Sequence, residues 1–171
     1  MGHPKRDELV SRNVGMLISV LVRYPEVGSV KYEPRQQTIR IGLLVQGELE
    51  AEEFRRIRSD LAEMLQVYHL LENRTGSVLE LEQESYGGLT SLTVTRDVGS
   101  LTPDEIYLLI EFFRERFAGR LVTEAVDFSA EEDMMAQDEM IEEILFDLQH
   151  SPADRNLIAI RENGRVMVFQ K

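Results

Sequence analysis

Residues equipped for chemistry are sparse in this chain. The histidines are His3, His69 and His150. Two metal ligands on one helix face need a spacing of about three or four, and no histidine pair comes near it. His150 follows Asp147 by one helical turn near an expected helix end. A protonated imidazole is favoured there by the helix dipole and by the carboxylate. There is no cysteine, which removes disulfides, thiolate metal sites and cysteine nucleophiles together. No serine sits in a Gly-x-Ser-x-Gly elbow, and no phosphate loop ends in Gly-Lys-Ser/Thr. Gly87-Gly88 after Tyr86 reads as a hairpin turn rather than as backbone opened for a ligand. No catalytic residue, metal or cofactor is therefore expected. A site assembled from scattered side chains escapes motif reading; Tyr32, Arg40, Tyr86, Arg96 and Glu124 are the candidates for one.

Acid chemistry is concentrated in one place. Between Asp127 and Gln149 the chain has nine acids and no base, against a net charge of -12 for the whole. Glu132, Asp133, Asp138, Glu139, Glu142 and Glu143 are hard oxygen ligands, but no calcium-loop pattern holds them. The pairs Asp138/Glu142 and Glu139/Glu143 are like charges one turn apart, which destabilises an isolated helix. A solvated face is the plain reading, and a docking surface for a basic partner is the sharper one. Met134, Met135 and Met140 on the same segment fill a core or make adaptable partner contacts.

Basic residues gather as Arg55, Arg56 and Arg58, and again as Arg114, Arg116 and Arg120. Acids are interspersed with them, as on an ordinary solvated helix. With the net negative charge, this argues against nucleic-acid binding. Arg55, Arg56, Arg58, Arg114 and Arg116 are the expected partners of the acidic helix. No apolar run is long enough to span a membrane, and the first residues lack an apolar leader. A cytoplasmic location is expected on that ground.

The elements that must position these residues follow from periodicity. Leu9, Val10, Val14, Leu17, Ile18, Leu21 and Val22 predict a helix over Asp7–Tyr24, closed by Pro25. Alternation predicts strands over Ser29–Glu33 and Thr38–Gln46, then a helix over Glu50–Leu71. The order repeats: strands over Ser77–Glu84 and Thr90–Arg96, then a helix opened by Thr102-Pro103-Asp104-Glu105. There Thr caps, and Glu is placed to bond back to it. Ile41 and Leu43 match Leu92 and Val94. Phe54, Ile57, Leu61 and Leu65 match Ile106, Leu109, Phe113 and Phe117. Gly28-Ser29-Val30 matches Gly76-Ser77-Val78. This internal repeat predicts two structurally equivalent ββα units.

Arg120–Val126 reads as a short strand or extended link. A further helix, opened by a capping box at Ser129–Glu132, carries the acids to Gln149. Leu157–Arg161 and Arg165–Gln170 flank Asn163-Gly164, the strongest short hairpin signal.

The expected class is α+β: a mostly antiparallel sheet from two ββα units covered by helices. Residues 1–126 form the expected core domain, and 127–171 an appendage of acidic helix and β-hairpin. The apolar stripe of that helix and the two-faced hairpin need a partner surface. Met134, Ile141, Ile144, Leu145, Leu148, Val166, Val168 and Phe169 are the candidate interface. The favoured function is a non-enzymatic interaction or regulatory protein, self-associating through the C-terminal segment or binding another protein. The alternative is a small-ligand-binding protein or enzyme using the scattered polar residues.

Overall fold

The computed structural model describes residues 4–75, 78–124, 131–150 and 155–170. The order is α1 (Pro4–Arg23), β1 (Val27–Glu33), β2 (Thr38–Gln46), α2 (Ala51–Leu71), β3 (Leu79–Tyr86), β4 (Leu89–Asp97), a single 3-10 turn (Val98–Ser100), α3 (Pro103–Arg116), α4 (Glu131–His150), β5 (Leu157–Glu162) and β6 (Arg165–Gln170). The class is α+β. One six-stranded sheet runs β3-β4-β2-β1-β5-β6, with every neighbouring pair antiparallel.

Side chains alternate between the faces of a strand. Ile39, Ile41, Leu43 and Val45 of β2 therefore share a face with Val30, Tyr32, Leu92, Val94, Leu157 and Ala159. That face is buried in one cluster with the apolar stripes of all four helices. The opposite face carries Ser29, Lys31, Arg40, Thr93 and Thr95 at its centre. Glu80, Glu82 and Glu84 lie at one margin, and Ile158, Ile160, Met167 and Phe169 at the other. Among the described residues, no helix is long and apolar enough to cross a membrane.

The two hairpins lie side by side in the one sheet, in mirrored order about β2 and β4. Gly42 faces Thr93 across that central pair, and their positions differ by 51. The same interval separates Ile41 from Leu92 and Leu43 from Val94, so a local two-fold through Gly42 and Thr93 relates the matched positions of β2 and β4. On the helices, Ile57, Leu61, Leu65, Ile106, Leu109, Phe113 and Phe117 are all buried, while Phe54 is half-buried. The match of Val30 with Val78 does not hold: Val30 faces Ile41 whereas Leu92 faces Gln83, so Gln83 takes the place of Val30 and Val78 precedes β3. Gly76 and Ser77, like the capping box at Ser129, lie outside the described residues.

The C-terminal segment, expected as an appendage, is built into this sheet. β5 pairs with β1, Ser29 facing Ile160 and Tyr32 facing Leu157. α4 packs along α1, with Ile144 reaching Gly15. Arg161 reaches across from β5 and donates to the carbonyls of Leu21, Tyr24 and Val27, satisfying the end of α1. Residues 120–122 also find a strand partner: Leu121 bridges Val45, beyond the point where β1 begins. Both tight hairpins turn on two residues with positive φ, Gly87-Gly88 and Asn163-Gly164, the geometry that matches strand twist.

Candidate functional site

The scattered polar candidates do not converge. Tyr32 and Arg96 point into the helix-covered face, and Arg40 points out of the other. Tyr86 is exposed at the distal turn of β3. Glu124 lies 4.0 Å from Arg161. His150 is spent on its own helix, its ring stacked on Phe146 and its Nδ1 2.8 Å from the Phe146 carbonyl. His3 lies outside the described residues, and no metal-binding group of three ligands occurs among the described ones.

One constellation escaped sequence reasoning. Arg96 continues the inward alternation of Leu92 and Val94, where an apolar residue belongs. Glu105 lies one turn before Leu109 on the buried stripe of α3. Both are fully buried. Arg96 holds Glu105 in a fork, Nε to Oε2 at 2.6 Å and Nη2 to Oε1 at 2.8 Å. Its Nη1 donates to the Val78 carbonyl and, at 2.6 Å, to Asp97 Oδ1. The second Nη2 hydrogen reaches Ser100 Oγ at 2.9 Å.

All five guanidinium hydrogens are thus used. His69 Nε2 lies 2.5 Å from Glu105 Oε1 and 3.2 Å from Arg96 Nη2. With Arg96 saturated, the histidine is the donor to Glu105, which fixes the proton on Nε2. The Glu105 carboxylate, expected to bond back to the cap, is engaged instead by Arg96 and His69. Thr102 still caps α3, accepting from Glu105 N at 3.1 Å. The signal available in the sequence was two opposite charges, each on an otherwise apolar stripe.

Chemically the cluster is a clamp joining β4, α2 and α3. It leaves Arg96 no hydrogen for a ligand, although a cavity of about 410 Å³ opens beside His69, Gln66 and Arg74. Burial pushes the Asp97 carboxyl upward. Hydrogen bonds from Ser100 and from Val78 N–H, with the charge of Arg96, outweigh that and hold it at about 2, against 3.8 for an ordinary aspartate. A folded-state value below the unfolded one stabilises above pH 3.8 and is lost as pH falls through about 2. The contribution is about 2 kcal/mol. Thermal unfolding from pH 5 downwards should show that loss, and Asp97→Asn should flatten it. An unchanged acid limb in Asp97→Asn would contradict the assignment.

The C-terminal candidates divide. Ile141, Ile144, Leu145 and Leu148 are buried inside the chain, and Val166 and Val168 pack on its core. Met134 and Phe169 remain exposed, Phe169 by 49%. Intrachain burial has thus used most of the stripe, and the outward side of β6 remains. Nor do the basic clusters meet the acidic helix. Arg56 pairs with Glu52, Arg116 with Asp60, Arg120 with Glu53, and Arg114 with Glu26 and Glu111. Arg23 of α1 reaches Asp138 instead, at 3.0 Å. α4 packs along α1, which brings Arg23 to its acids, while Arg56 of α2 and Arg114 and Arg116 of α3 are taken by acids nearer to them.

β3 and β6 form the two edges of the sheet. β3 carries Glu80, Glu82 and Glu84, all exposed, which guard an edge against pairing with another chain. β6 has no charge from Val166 to Gln170. Its neighbour Glu162 faces Arg165 across the two-residue turn. In such a hairpin that pair exchanges both backbone bonds, and the bonding alternates from there. The amides of Val166, Val168 and Gln170 therefore point away from β5. No protein-family model, no curated protein and no solved structure matches this chain.

Proposed function

We propose that this protein works by binding other protein chains, with no chemistry of its own, and that β6 is the surface through which two copies associate. The carrying observation is the contrast between the edges: one is guarded by three glutamates, the other presents Val-Met-Val-Phe with outward amides. Edge strands left long, apolar and uncharged pair with further strands. Antiparallel β6–β6 pairing extends the sheet across a two-fold, and it joins the patches of Ile158, Ile160, Met167 and Phe169 on the outer face. The saturated Arg96 clamp supports the non-enzymatic reading.

The test is solution mass by light scattering. Met167→Lys with Phe169→Lys places charge on the outer face without touching the helix-covered core. Wild type should have the mass of two chains and the double variant that of one, with the same circular dichroism. A wild type that stays single at its highest soluble concentration, or a variant that stays double, overturns the proposal.

A further inference from the structure

A groove runs between α3 and α4. Three adjoining cavities, of about 310, 420 and 390 Å³, follow one another along it. The first and second share Pro103, Asp104 and Glu142; the second and third share Arg23 and Tyr107. Its length along α4, from Met134 to Gln149, is about 22 Å at 1.5 Å per residue. Leu145 and Tyr24 are buried at its base. Along its walls the apolar side chains stand open: Met135 is 63% exposed, Phe146 58% and Tyr107 46%. Such a trough matches the apolar stripe of a helix of about fifteen residues, and methionine walls adapt to its side chains.

Charge decides which helix. Asp138 and Glu111 on the walls already have partners in Arg23 and Arg114. Glu72, Asp104, Glu139 and Glu142 have no ion-pair partner among the described residues, against Arg74 as the one cation so placed at the groove. The spacing of Asp138 and Glu142, and of Glu139 and Glu143, also leaves repulsion along α4 that a cation between them would relieve. We propose that this groove binds a basic amphipathic helix of a partner protein, its apolar stripe on Met135, Tyr107 and Phe146 and its lysines or arginines beside Asp104, Glu139 and Glu142. This surface is separate from β6 and does not depend on self-association.

The probe is a fluorescein-labelled, amidated helical peptide of about fifteen residues, with leucines on one face and lysines flanking them. Its affinity is read by fluorescence anisotropy on the full chain. Saturable binding should weaken about tenfold in Met135→Glu and in Glu139→Lys/Glu142→Lys, and should fall as salt rises. A permuted peptide of the same composition, its leucines spread round the helix, should also bind about tenfold more weakly. The charge variant relieves repulsion within α4, so it remains informative if Met135→Glu fails to fold. Binding should be unchanged in Met167→Lys/Phe169→Lys. No saturable binding, equal binding of the permuted peptide, affinity unmoved in the folded groove variants, or loss of binding in the β6 variant would each overturn the proposal.

Discussion

Arg96→Ala should lower stability by about 3–5 kcal/mol, the cost of leaving buried charge uncompensated. In a chain of this size each kcal/mol moves the thermal midpoint by about 2–4 °C, so the fall should exceed 6 °C or so by that scale. The change strands Glu105 at full burial and takes a partner each from Val78, Asp97 and Ser100. Arg96→Met with Glu105→Leu removes both charges of the fork and should recover part of the loss, because an apolar pair needs no compensation. Circular dichroism melts of the three proteins decide it. If the double variant is no better than Arg96→Ala, the clamp is not acting through charge.

Truncation after Val126 should abolish cooperative folding. It removes Ile141, Ile144, Leu145, Leu148, Leu157 and Ala159 from the core and uncovers α1 and the free side of β1. Burying one large apolar side chain is worth about 1.5–3 kcal/mol. Five such side chains, about 7.5–15 kcal/mol together, are therefore comparable to the whole stability of a typical domain, about 5–15 kcal/mol. Loss of the Arg161 bonds to the end of α1 adds to this. A fragment 1–126 that melts sigmoidally near the midpoint of the full chain would show the C-terminal segment to be dispensable.

These effects show what could be read from residues alone. Alternation in Thr38–Gln46 and the 3.6 period of Glu50–Leu71 are local properties, so the elements and the α+β class were legible. So was the hairpin at Asn163-Gly164, because positive φ at both positions is written into those residue types. Adjacency is different. The stripe Ile141, Ile144, Leu145 and Leu148 demands a partner without naming it, and burial against α1 or against a second chain uses the same physics. The antiparallel return of β5 to β1 settles that question in three dimensions only. The pairing of Arg96 with Glu105 was hidden for a related reason. A single charge on an apolar stripe has no meaning until its opposite is found nine residues away on another element.

The central claim is that β6 is an edge used for pairing, and amide hydrogen exchange of the full chain at low and high protein concentration tests it most directly. Met167 and Phe169 amides face β5 within each chain and serve as the internal reference. If two copies pair through β6, the amides of Val166, Val168 and Gln170 exchange fast in dilute protein and slow sharply as concentration rises, while those of Met167 and Phe169 change little. Exchange at Val166, Val168 and Gln170 that stays fast and independent of concentration would contradict the account.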